Sequence, residues 1–244
     1  YMNRGDHEGQ VGTAVYHYDG LVQTMEEEVF IPSTQSYEIL KAEMGQLMYV
    51  NDKGNLYLFM DEKLYRINLT TLKEKVIVEG LKESCYQTSQ SNQYLAWVDA
   101  DKEYSSTTIH LINLQDESIY DITESDNLYL QPLGFINNDF IYGAAKKNNV
   151  NVGAAGNTVF PMNYLKIMST SQDSHEIVKT YKPKSGKVES ISVQDYTITI
   201  QLMKKTGGRY ASAGVDSIMN RAADTETKIS VGQTATDIKQ TQYQ

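Results

Sequence analysis

QYLAWVDADKEYSSTTIHLINLQDESIYDIT, residues 93–123, is the stretch whose reading decides the fold. It holds the chain's one tryptophan, Trp97, and three short apolar runs separated by polar breaks. YLAWVDAD is rich in strand formers, TTIHLINLQD continues with Ile109, Leu111 and Leu114, and SIYDIT closes with Ile119 and Ile122. Short runs of aromatic and β-branched residues between Asp, Ser, Gln and Glu clusters are strands joined by turns. The spacing predicts three antiparallel strands in meander order, with the preceding CYQTSQSN as a fourth.

A four-stranded unit of this kind recurs if it is one blade of a larger array, at a period of about 40 to 50 residues. Leu64-Tyr65-Arg66-Ile67-Asn68-Leu69 repeats as Ile109-His110-Leu111-Ile112-Asn113-Leu114, 45 positions on, the difference between 64 and 109. Around the first copy lie QLMYVNDKG, NLYLFMDEK and EKVIVEG. Downstream, LYLQPLGFINN, DFIYGAAKK, MNYLKIMST and HEIVKTYKP make a third set, and KVESISVQD, YTITIQLMKK, RYASAGVDSIMN and TKISVG a fourth. Residues 11–45 supply strands for one more, incomplete unit. The expectation is an all-β β-propeller of about five blades' worth of chain at roughly 45 residues each. Residues 1–232 form a single propeller or propeller fragment, closing on itself or completed from elsewhere. The tail, residues 233–244, lacks apolar periodicity and is expected to fray. The best place for a helical turn is MEEEVF within GLVQTMEEEVF, although a strand pair with an acidic turn fits those residues equally well.

Bulk properties narrow the function classes. The chain of 244 residues carries a formal charge of -9, so phosphate backbones repel it, and Lys146-Lys147 and Lys204-Lys205 read as isolated pairs. No nucleic-acid partner is expected. No apolar run approaches the roughly 18 residues that cross a bilayer. The single cysteine, Cys85, cannot form an internal disulfide and reads as a small buried hydrophobe. The sequence begins at Tyr1 and suggests a piece of a longer protein, with any membrane anchor in an N-terminal segment outside it.

The YLAWVDAD, TTIHLINLQD, SIYDIT set resembles the blades of TolB-like and WD40-like bacterial propellers. In these an apolar second strand is followed by one ending in Asn-Leu or Asp-Leu and then by a Thr-ended fourth strand. LYRINLTT with KVIVEG is similar. The PDG turn of TolB blades is replaced by SQSNQ and INNDF, and the WD dipeptide of WD40 blades appears only as Trp97-Val98-Asp99. The nearest group is the secreted or membrane-anchored propellers of gut Firmicutes. The resemblance implies an extracytoplasmic or cell-surface module used for binding, anchored in a Gram-positive bacterium, whose partner is a protein or a cell-envelope glycan.

Candidate sites are few. Asp99-Ala100-Asp101-Lys102-Glu103 has alternating carboxylates but lacks the later Gly and Glu of a calcium loop, so it reads as a polar hairpin turn. Glu26, Glu27 and Glu28 read as a solvated face. His7, His17, His110 and His175 are scattered without metal-binding spacing, and His110 lies on the opposite face of its strand from Ile109 and Leu111. Neither a metal nor a cofactor is expected. Arg4-Gly5-Asp6 and Asn68-Leu69-Thr70 are chance-length matches to adhesion and glycosylation signals.

The 18 tyrosines are more informative. Tyr49, Tyr57, Tyr65, Tyr94 and Tyr142 sit in apolar strands and read as inter-blade packing with the hydroxyl reaching an edge. Tyr104, Tyr129, Tyr164 and Tyr210 lie beside turns and, with Asp139, are the candidate ligand-binding residues. The Asn- and Gly-rich segment 146–161 is the seat of an insertion, a mobile excursion or a functional loop. No catalytic motif appears. A non-catalytic binding or scaffold module is the first reading, and a glycan-active enzyme or lectin using acidic and tyrosine residues in the propeller funnel is the second.

Overall fold

The computed structural model describes residues 6–44, 46–151, 158–171, 175–219, 229–233 and 239–243. Strands β1 (Val11–Asp19) and β2 (Thr24–Ser33) form a hairpin, followed by helix α1 (Tyr37–Met44). Blade A comprises β3 (Met48–Val50), β4 (Asn55–Met60), β5 (Lys63–Asn68) and β6 (Glu74–Glu79). Blade B comprises β7 (Tyr86–Thr88), β8 (Tyr94–Trp97), β9 (Thr108–Asn113) and β10 (Ser118–Thr123). Blade C comprises β11 (Leu128–Ile136), β12 (Asp139–Lys146), β13 (Tyr164–Met168) and β14 (Ile177–Tyr181). Among the described residues blade D has three strands, β15 (Lys187–Gln194), β16 (Thr197–Thr206) and β17 (Arg209–Met219). A last hairpin pairs β18 (Ile229–Gln233) with β19 (Lys239–Tyr243). The 45-residue repeat falls on the third strands of blades A and B.

Successive blades stack face to face, and that stacking makes the molecule an all-β propeller array. Neighbouring side chains in a strand point to opposite faces. In blade B, Leu95, Trp97, Ile112 and Leu114 pack against Tyr57, Phe59 and Leu64 of blade A. The alternate residues Tyr94, Ala96, Ile109 and Leu111 pack against Leu130, Phe140, Tyr142 and Ala144 of blade C. Blade C in turn meets Val188, Ile198 and Ile200 of blade D through Ile141, Leu165 and Ile167. Ile31 of the first hairpin and Leu40 of α1 cover the other face of blade A. Because both faces are covered, β4 is buried at every position, and its sequence is a continuous apolar run rather than an alternating one.

Two clasps reinforce these contacts. In blade A, Tyr57 and Arg66 stand opposite each other on β4 and β5, and both bind Glu117 in the β9–β10 turn of blade B. In blade C, Tyr142 and Lys166 stand opposite each other on β12 and β13, and both bind Glu124 just beyond β10. Tyr49 donates to Gln115 and Tyr94 to the Thr170 carbonyl, so four of the five strand tyrosines reach hydroxyl partners across a blade boundary. Tyr65 packs beside the core shared by blade A and the first hairpin.

Several expectations are corrected. MEEEVF is part of strand β2, because Asp19 accepts from the Leu21 and Val22 amides and Gln23 takes a left-handed φ of 56°, which closes a hairpin turn. The helix lies instead at Tyr37–Met44, where the Ser36 hydroxyl accepts from the Ile39 amide as a cap. TKISVG, expected as the fourth strand of blade D, contributes β18, whose partner is β19. Within the tail, residues 239–243 form strand β19. Arg4 and Gly5 lie outside the described residues.

Candidate functional site

The Gly207-Gly208 turn joins β16 to β17, and both glycines take left-handed φ values, 58° and 85°, as a two-residue hairpin turn of this hand requires. This long hairpin carries Lys205, Arg209 and Tyr210 out beyond the core. Opposite it runs the chain between β12 and β13. There Asn151 and Val159 bridge to each other through two backbone hydrogen bonds of 3.1 and 2.9 Å. Met162 and Val188 do the same at 2.9 Å each, tying that segment to the first strand of blade D. Residues 152–157 of the expected insertion lie outside the described residues.

Two adjoining cavities open between these elements. One, of about 540 Å³, is lined by Asn148, Asn149, Asn151, Lys205, Arg209 and Tyr210, with Val150 and Val159. The other, of about 290 Å³, is lined by Tyr104, Phe160, Glu189, Met203 and Tyr210, with Thr158 and Val159. Val159 and Tyr210 belong to both and form the shared wall.

Tyr104 enters from blade B with a φ of 59°, an unusual conformation for a bulky residue, and its ring packs 6.1 Å from that of Phe160. Burial, then the neighbouring Glu103 carboxylate, raises the Tyr104 hydroxyl above its ordinary value, so it stays a neutral donor. The Lys205 amine lies 6.0 Å from the centre of the Tyr210 ring. Burial, and then the charge of Lys146, lowers the pKa of Lys187 at the start of β15.

Of the lysine pairs 146–147 and 204–205, Lys205 lines the cleft together with Arg209. The blades bring together residues far apart in sequence. None of these cations forms an ion pair among the described residues. The cleft offers aromatic walls, side-chain amides and unpaired cations, with Glu189 as the one carboxylate lining either cavity.

Of the five candidate residues, Tyr104 and Tyr210 thus share a cavity, and three lie elsewhere. Tyr129 packs against the core between blades C and D, with the Lys147 amine 5.0 Å from its ring centre. Tyr164 packs against the core between blades B and C, and its hydroxyl is pushed up to about 12 by burial and then by Glu124. Asp139 follows the Asn137-Asn138 turn, and burial raises its carboxyl despite a hydrogen bond from the Thr170 amide.

The remaining motifs have structural partners. Asp99 accepts from Lys102 at 2.6 Å and lies 3.7 Å from His110, and Lys102 above all holds its carboxyl below the usual range. His110 also binds Asp121 at 2.7 Å and packs on Trp97. Among the described residues no group of three or more His, Cys, Asp or Glu is placed to hold a metal, and no helix is long and apolar enough to cross a membrane. Cys85 is buried.

No family model matches the sequence, and no curated protein matches it. Solved structures with a similar arrangement include the Neurospora crassa Pan2 WD40 domain, at 9% identity and a TM-score of 0.37 over 71% of this chain and 48% of that one. The tricorn protease is similar at 13% identity and a TM-score of 0.40 over 83% of this chain and 23% of that one. A Lactobacillus plantarum protein is similar at 8% identity and a TM-score of 0.34, over 86% of this chain and 65% of that one. The chain spans less than half the length of the first two. Likeness at this level carries no function across, and the architecture rests on the blades themselves.

Proposed function

We propose that the chain is a non-catalytic binding module whose ligand lies in the cleft between the β16–β17 hairpin and the segments on either side of residues 152–157. The observation that carries this reading is the convergence of Tyr104, Phe160 and Tyr210 with three asparagine amides and the unpaired Lys205 and Arg209. Aromatic faces bury the apolar face of a sugar ring, amides bond hydroxyls, and the cations attract acidic substituents. The ligand class that fits is an acidic cell-envelope glycan. On this reading the module works outside the cytoplasm at the cell surface, held by a segment outside the chain.

Cleavage is the weaker reading, because glycoside hydrolysis ordinarily takes two carboxyl groups about 5 to 10 Å apart, and Glu189 has no second carboxylate beside it in the cavity lining. The test is a glycan array probed with the wild-type chain and with Tyr210→Ala and Arg209→Gln. Uronic-acid-bearing or phosphorylated glycans should bind at low salt, and each variant should lose about tenfold or more, the loss expected of one buried aromatic or charged contact. Equal binding of neutral glycans, retention by both variants, or selection of single-stranded nucleic acid over every glycan would each overturn the proposal.

A further inference from the structure

A third cavity, of about 460 Å³, sits away from the cleft, between α1, the β4–β5 turn and the chain entering blade B. Its floor is apolar: Phe59, Leu81 and Tyr86 are buried core residues, and Ile39 and Ala42 of the helix form one side. Its rim carries Glu38, Glu43, Glu62 and Glu83. Glu43 is engaged, accepting from the Gln35 amide at 3.2 Å and the Asp61 backbone amide at 2.9 Å. Glu38, Glu62 and Glu83 are exposed and pair with no cation among the described residues.

The turn that places Glu62 is costly. Asp61 and Glu62 are its two central residues and take φ values of 54° and 56°, where glycine or asparagine is the ordinary choice. Burial, then Glu83 and Glu43, pushes the Tyr86 hydroxyl up to about 12, so the negative field reaches the floor.

We infer that this cavity receives a peptide segment of a partner protein in which an arginine or lysine stands beside a large apolar side chain. The apolar side chain packs against the exposed Ile39 above the floor of Phe59, Leu81 and Tyr86, and the cation reaches the rim. Charge complementarity selects this occupant. The carboxylates surround an apolar floor and do not converge as a metal-holding group, so a point cation is a poor fit, and an acidic peptide is repelled. No residue lining this cavity lines the cleft, so the inference is independent of the proposed glycan site.

A library of acetylated, amidated pentapeptides randomised at every position, captured on the immobilised chain, provides the test. Arginine or lysine next to leucine, isoleucine or phenylalanine should be enriched. The best peptide should bind the double variant Glu62→Gly, Glu83→Gln about tenfold more weakly, as expected for two rim charges facing a cation. Glycine relieves the left-handed turn, so thermal unfolding of the variant should be unchanged or raised, which separates lost binding from lost folding. Enrichment without a basic residue, equal binding to the variant, no enrichment at all, or displacement by spermine at the peptide's own concentration would overturn the inference.

Discussion

Tyr57 and Tyr142 are buried aromatic residues whose hydroxyls would be left without water, and each solves the problem with a glutamate from blade B. The Tyr57 hydroxyl donates to Glu117 at 2.6 Å, while Arg66 donates to both carboxylate oxygens at 2.9 and 3.0 Å. Removing Glu117 leaves the buried Tyr57 hydroxyl without its acceptor, which costs more than the bond itself contributes. Tyr57→Phe and Glu117→Gln should each destabilise by about 1 kcal/mol. Because Tyr57 donates directly to Glu117, the double variant should cost less than the sum of the two, with a coupling of about 0.5 kcal/mol or more in urea denaturation. Simple additivity would show that the pair is incidental.

At the scale of elements, one glycine seats the segment that builds the cleft. Gly143 lies on β12 beneath Met162, and a Cβ there would come within 2.1 Å of the Met162 Sδ and 3.1 Å of a Leu133 methyl. Met162 is itself buried and bridges to Val188, so it cannot swing aside without moving the chain that carries Phe160 and Val159. Gly143→Ala should lower stability by about 1 to 3 kcal/mol, the cost of overpacking a filled core. In a Met162→Ala background the same Gly143→Ala change should cost less, and chemical denaturation of the two single variants and the double variant checks both statements. The α1 helix also belongs at this scale. Its Ser36 cap and run EILKAEM escape the sequence reading, whereas GLVQTMEEEVF attracts a helical reading by its glutamates although its hairpin turn is set by Asp19 and Gln23.

For the molecule as a whole, the strands and the 45-residue repeat were readable because burial on both faces and polar turns leave a periodic trace in composition. The cleft was not. Tyr104 and Tyr210 sit on different blades, and no local spacing records that stacking brings them to one cavity.

Assembly also sets the response to acid. Burial raises the Glu117 carboxyl, but hydrogen bonds from Tyr57 and Arg66 outweigh it and hold the group below its ordinary 4.5. Burial likewise raises Glu124, and Lys166 and Tyr142 outweigh it. Groups depressed on folding contribute stability above their unfolded value that is lost as pH falls through the folded one. Unfolding free energy should therefore decline below about pH 4.5, and less steeply in the Glu117→Gln, Glu124→Gln double variant. Parallel acid curves for the two proteins would refute this.

Both clasps end on blade B, so blades A and C each contribute to one clasp while B is held by both. Blade B itself has Ala96 opposite Leu111 where its neighbours carry a tyrosine and a cation. In mechanical terms the array is an arch with blade B as its keystone: load applied from either flank peels the outer blades first and reaches the centre last.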